Sequence, residues 1–305
     1  MNSRLNTKFL LNSVSIKWGE VHNHIDASNY KIINTVCQQV GPPYPWTGKV
    51  NDQCIAIGYA GYDAKTHFLP PEHFLAHILR LAITSSFQNS DLKGQGPDGK
   101  ILVKVKEEPG GWFVEQILVT LQQKEELEFL ELCGKVHITL RNAYDGLRLF
   151  DPRWKRPYER IEVLINPNGP LINGGSDSDN GQTGRKLVMD FYGPRVPIGG
   201  GALSGKDLTH IDRASSYCAR EAAVKAVQSG ARDCMVRLAY APNDLDPIDV
   251  EYTMERQVMQ QGHGFWNHET ICKRYRKIQI DYSMSQGGHF FDPRYPWNGM
   301  IETKL

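Results

Sequence analysis

The stretch GGGALSGKDLTHIDRASSYCAREAA, residues 199–223, constrains this chain most: three glycines and a lysine run directly into a small-residue segment with helical spacing. Glycine lacks a Cβ and tolerates positive φ, so a turn of this kind lets backbone N–H groups approach an anion closely. Thr209 reads as the N-cap, with Asp212 three residues on, and a helix is predicted over 211–229. Its positive dipole end and the charge of Lys206 would then face the same point, which suits polyphosphate. The spacing Gly200-x4-Gly205-Lys206 starts a Walker A pattern, but the next residue is Asp207. A P-loop requires Ser or Thr there to ligate magnesium, which argues against a P-loop NTPase. The plain alternative is a flexible turn with a solvated lysine.

A second cluster lies upstream. From Ile165 the chain reads INPNGPLINGGSDSDNGQTGRKLVMDFYG, a polar loop followed by Arg185, Lys186 and an apolar run over 187–189 that predicts a strand ending at Asp190. Asp177 and Asp179 are candidate ligands for a ribose, an ammonium group or a metal, unless the loop is simply solvated surface.

The order and spacing of these blocks resemble the S-adenosylmethionine synthetases. The matching residues are Asn166 to Gly169, Gly174-Gly175, Asp179 to Lys186, Asp190 to Gly193, Gly199 to Asp207 and Asp212-Arg213. Looser matches are Asp52-Gln53, Gly58 to Ala60, Leu69-Pro70, Ala76-His77, Pro97-Asp98 with Lys100, Gly288 to Phe290 and Pro296-Trp297.

The resemblance implies an α+β fold of repeated strand-strand-helix lobes, with sheets packing face to face across a dimer. It implies attack of the methionine sulfur on the ribose C5′ of ATP, release of triphosphate, and hydrolysis of the triphosphate. A leaving group with about four negative charges needs several cations and a metal. By the resemblance, Lys100, Arg185, Lys206 and His210 are the catalytic candidates. ATP would be bound by Asp98, Lys100, Asp179, Arg185, Lys186, Gly200, Gly201, Ser204, Lys206 and His210. Methionine would meet Glu20, Asp52 and Asp179. Asp212 would hold magnesium, with a potassium ion left open. A homodimer sharing its active sites is implied, a tetramer left open.

The sequence departs from the family pattern in places. The family's Gly-His-Pro-Asp-Lys segment has no match, and PPYPWTGKV, between Gly41 and Asn51, stands where the family has a long segment with a mobile loop. His210 replaces a family lysine, which predicts pH-sensitive anion binding because histidine titrates near neutrality. Leu171 replaces a phenylalanine, keeping apolar contact without stacking. These departures keep two further readings in view: a non-catalytic regulatory or nucleotide-binding partner of a full-length synthetase, and a residual tripolyphosphatase.

Formal net charge is +1, so nothing in the overall balance calls for a nucleic-acid partner. Six well-separated cysteines without a C-x-x-C pair suggest reduced thiols, and no long apolar run or signal peptide is visible. A cytoplasmic protein with no membrane partner is expected. Strands are predicted over 13–18, 55–60, 101–105, 112–121 and 234–241, and helices over 27–40, 71–84 and 122–133. His22, His24 and Asp26 would share one strand face, read as a wet face rather than a metal site. His263 and His268 read as surface or core histidines rather than ligands. The expected organisation is an N-terminal and central lobe over 1–120, a lobe with the glycine-rich phosphate site over 121–241, and a completing segment over 242–305.

Overall fold

The computed structural model describes residues 49–299 apart from 90, 91, 94, 96, 97, 125, 126, 176–183, 280–283 and 285. The elements expected over 13–18 and 27–40, and the candidates Glu20, His22, His24, Asp26, Asp177 and Asp179, lie outside the described residues. In chain order the elements are β1 (Cys54–Gly61), α1 (Pro71–Asn89), β2 (Gly99–Glu108), β3 (Gly111–Leu121), α2 (Phe129–Phe150), β4 (Glu162–Ile165), the one-turn α3 (Leu187–Asp190), α4 (Ile211–Gln228), β5 (Asp233–Tyr240), β6 (Asp249–Thr253), α5 (His268–Tyr275) and the one-turn α6 (Gly288–Phe291). The chain divides into two compact units, one holding residues 75–181 and the other residues 39–74 and 182–305.

In the first unit β2 and β3 form the predicted antiparallel hairpin, and β4 adds parallel to β3. The turn works because Gly110 sits at φ 90°, where a side chain would be strained. Helix α2 turns Leu132, Val136, Leu140, Tyr144 and Leu147 inward, one stripe at helical spacing. The helix expected over 122–133 is thus displaced. Gln122 and Gln123 are extended, their amides donating to the carbonyls of Asp98 and Leu171, and the helix starts only at Phe129. It continues through Gly134 and Gly146, where an added Cβ would meet no atom within 4 Å and nothing forces a break.

In the second unit the antiparallel order is β1-β5-β6. On β5, Cys234, Val236, Leu238 and Tyr240 are buried, alternating with more exposed neighbours as a one-sided strand requires. Helix α4 lies so close to β1 that a Cβ on Gly58 would fall 2.0 Å from the Ala219 carbonyl carbon. The alanines and serines of α4 permit that approach. Its other side is closed by the C-terminal segment: Trp297 stacks on Tyr217 with ring centroids 3.8 Å apart, and Tyr295 stacks on Trp297 at 5.0 Å. Buried Arg220 on α4 spreads its five N–H groups over the carbonyls of Tyr59, Phe68, His67 and Phe290 and the Asn298 side chain. His67 and Phe68 both take positive φ, 52° and 55°.

The expected strand over 187–189 is instead the single turn α3. Phe191 N–H donates to the Leu187 carbonyl at 2.9 Å, and Val188 and Met189 are exposed. A run of three apolar residues carries too little periodicity to separate strand from helix. Among the described residues no strand pairs with it, and Phe191 and Tyr192 supply the core contact.

Burial sets an acid limit on this unit. It lowers His73 from 6.5 to about 4 and His289 from 6.5 to about 3. The unfolded chain protonates these histidines near pH 6.5 whereas the folded chain does not. Their contribution is therefore complete above that pH and is lost as pH falls towards the folded values. Asp190 acts oppositely, because burial raises its carboxyl from 3.8 to about 6 and the folded form takes up a proton first. We expect urea-denaturation stability to drop between pH 6.5 and pH 5 at a net rate of about 1–3 kcal/mol per pH unit, more steeply in Asp190→Asn. A flat profile from pH 7.5 to pH 5 would contradict the buried neutral state of both histidines.

Candidate functional site

The glycine turn and the start of α4 form a close-packed cradle in the second unit, and each glycine is needed for a different reason. A Cβ on Gly199 would lie 1.7 Å from the Ile55 carbonyl oxygen of β1, Gly200 takes φ 101°, and a Cβ on Gly201 would meet the Asp212 carboxyl carbon at 2.6 Å. The turn thus threads between a strand edge and the first turn of a helix, where no side chain fits at Gly199 or Gly201.

Lys206 Nζ lies 2.5 Å from Asp212 Oδ2, with the lysine side chain 27% and the aspartate 17% exposed. Half-sheltered, the pair keeps a contact with solvent and with anything bound in the turn. Cys54 and Ser215 back onto it. Their side chains meet at 3.5 Å, and burial, with Asp212 adding to it, pushes the Cys54 thiol up to about 12. Cys54 is thus a neutral wall of the site rather than a nucleophile.

Thr209 is not the N-cap. Its amide and hydroxyl both bind Asp207 Oδ1, at 2.8 and 2.7 Å, and those hydrogen bonds hold the Asp207 carboxyl below its usual range. The residue that breaks the Walker pattern therefore closes a local Asx turn. With Thr209 engaged, His210 becomes the cap, its Nδ1 accepting from the Asp212 N–H at 3.2 Å, and the Asn51 amide lies 3.2 Å from Nε2. Burial lowers the His210 pKa despite the nearby Asp212 carboxylate. That shift moves any charge switch of His210 to lower pH than an ordinary histidine's, and in this arrangement the ring acts as a cap and hydrogen-bonding group.

The other candidates divide between the units. Arg185 and Lys186 are exposed, and Gly184 before them abuts the cradle, a Cβ there lying 3.5 Å from that of Ala202. Asp52 is exposed beside Asn51 and near enough to His210 to act on its charge. Asp98 and Lys100 belong to the first unit, where the Gly175 N–H donates to Asp98 Oδ2 at 3.2 Å. His263 is largely exposed, while buried His268 donates from Nε2 to the Thr209 carbonyl at 2.9 Å, a packing role as expected.

Sequence reasoning missed Asn51, Arg213, Tyr217 and His289. Arg213 and His289 fall inside matched motifs, but the contacts that give them roles span 72 to 85 residues for His289 and leave no local pattern.

No cluster of three or more His, Cys, Asp or Glu that would cage a metal occurs among the described residues. Asp212 alone suits magnesium, which usually takes one or two carboxylates and completes its shell with phosphate and water oxygens. A structural zinc site would need a fuller nitrogen and sulfur set.

An α+β protein with a close-packed glycine turn leading into a small-residue helix is the class these features define. Residues 173–298 match the S-adenosylmethionine synthetase C-terminal domain. The chain is 33% identical to the S-adenosylmethionine synthase of Thermus thermophilus over 265 residues, covering 81% of this chain and 64% of the relative. It is 34% identical to that of Petrotoga mobilis, covering 83% and 65%. It therefore spans a little under two thirds of those relatives' length. Its fold matches an S-adenosylmethionine synthetase from Campylobacter jejuni described as unusual, with TM-score 0.79, 21% identity, and coverage of 98% of this chain and 82% of that one. This chain belongs to the S-adenosylmethionine synthetase family.

Proposed function

We propose that this chain makes S-adenosylmethionine from ATP and methionine. The cradle carries the reading: a close-packed glycine turn, the N-terminus of an 18-residue helix and a half-exposed lysine converge where a triphosphate would sit. The sulfur lone pair forms the new bond to ribose C5′ as the C5′–O bond breaks, and the electron pair leaves with the triphosphate, which water then cleaves to pyrophosphate and phosphate. Transition-state stabilisation therefore means accepting negative charge on the departing oxygens.

Lys206 supplies the central cation, with Arg185, Lys186 and Lys100 as further cations. The N–H groups of Gly200 and Gly201 and the hydroxyl of Ser204 bind phosphate oxygens, and His210 donates from its neutral ring. Asp98 and Asp179 hold the nucleoside and amino-acid parts, and Glu20 and Asp52 face methionine. Asp212 would hold magnesium, which when bound supplies a Lewis acid for the triphosphate oxygens. We further propose a cytoplasmic homodimer with shared sites. The described residues contain no helix long and apolar enough to cross a membrane.

The test is mass-spectrometric detection of S-adenosylmethionine from purified protein with ATP, methionine and magnesium. Product that requires all three supports the reading. Bound ATP without product overturns it in favour of a nucleotide-binding partner, and phosphate release from tripolyphosphate alone identifies a tripolyphosphatase.

A further inference from the structure

Behind the cradle runs a chain of buried polar groups. Arg213, 4% exposed, gives its Nε–H to the Tyr217 hydroxyl at 2.9 Å and an Nη1–H to the Lys206 carbonyl at 2.5 Å. The Tyr217 hydroxyl lies 2.8 Å from His289 Nδ1, and His289 Nε2 lies 2.9 Å from Ser204 Oγ. The backbone that carries His289 is held in place, because its own carbonyl accepts from the Trp297 indole at 2.6 Å and from Asn298 at 3.3 Å.

The direction of these bonds follows from donor inventory. A guanidinium only donates, so Tyr217 is an acceptor from Arg213 and must place its own hydrogen elsewhere. Of its neighbours, the Met284 thioether is 3.7 Å away and already receives Arg213 Nη2 at 2.9 Å, whereas His289 Nδ1 is close and a strong acceptor. With Nδ1 accepting, the neutral imidazole carries its hydrogen on Nε2 and donates it to Ser204 Oγ. Burial and Arg213 both disfavour a protonated His289, so the direction does not reverse in the ordinary pH range. Ser204 Oγ is then an acceptor on its buried side, and its hydroxyl hydrogen is left to point out into the cradle.

We propose that Arg213, Tyr217 and His289 form a one-way hydrogen-bond relay that fixes Ser204 as a donor to phosphate oxygens bound in the cradle. The inference rests on reading the cradle as a phosphate site. Tyr217 and His289 are positioning residues, because they act through Ser204. Without the relay the hydroxyl could turn inward and present only lone pairs to an anion.

Calorimetric binding of inorganic tripolyphosphate to the full chain tests this. Tyr217→Phe keeps the ring stacked on Trp297 but removes the donor that forces the His289 tautomer. Ser204→Ala and Tyr217→Phe are each expected to weaken binding by about tenfold, the usual scale for a hydrogen bond to a charged group. Tyr217→Phe should then add nothing in the Ser204→Ala background. His289→Gln, which keeps an acceptor and a donor on one planar group, should recover much of what His289→Leu loses. Loss of affinity from Tyr217→Phe to the same extent with or without Ser204, or no loss at all, would overturn the relay while leaving the phosphate site standing. Wild-type protein that does not bind tripolyphosphate would overturn both.

Discussion

Lys206→Ala is expected to lower kcat/KM for S-adenosylmethionine formation by about 10²- to 10³-fold, the range seen when one preorganised group facing developing charge is removed. The lysine is held 2.5 Å from Asp212 at the mouth of the helix N-terminus, so its charge is placed before substrate arrives. The two basic groups beside it are poor substitutes, since burial disfavours the charged form of His210 and Arg213 is committed to Tyr217 and the Lys206 carbonyl. Removal also strips the Asp212 carboxylate of its lysine partner. Because the pair is part-exposed, the stability change should be small, about 1 kcal/mol or less. Steady-state kinetics alongside thermal melting separates the two effects. Unchanged turnover would remove the cradle from the chemistry.

The cradle was legible in sequence because its demands are local. Glycines at positions that exclude a Cβ, a lysine, and a following small-residue helix all lie close together along the chain, and the hairpin of β2 and β3 declared itself through alternation and the Pro109-Gly110 turn. Errors arose where two local solutions competed. Thr209 is a better generic cap than histidine, but Asp207 takes both its amide and its hydroxyl, which passes the cap to His210. The run over 187–189 had strand composition, yet it finds no ladder partner among the described residues and closes as one helical turn. The relay was invisible for a different reason. Ser204 and His289 are 85 residues apart, and it is tertiary packing, with Trp297 on Tyr217 and Asn298 on Arg220, that brings the C-terminal segment under the turn.

The three glycines are equal in sequence but should respond unequally to one methyl group. At Gly199 a Cβ would sit 1.7 Å from the Ile55 carbonyl oxygen and 2.7 Å from its carbon, both backbone atoms of β1. That strand cannot yield, being paired with β5 along its length and pressed against α4 at Gly58. The turn must lift instead, so Gly199→Ala is expected to cost about 3 kcal/mol or more in urea denaturation. A displacement of about 1 Å in the cradle should also reduce turnover by about 10²-fold in whatever folds. At Gly200 the added methyl meets open space, and only the positive φ of 101° is unfavourable for alanine. Gly200→Ala should therefore lose about 1–2 kcal/mol through backbone strain, with a smaller effect on turnover. The order of the two substitutions decides the matter. If Gly200→Ala proved the more damaging, the glycines would be serving backbone conformation, and the close passage of the turn along β1 would not be what places the site.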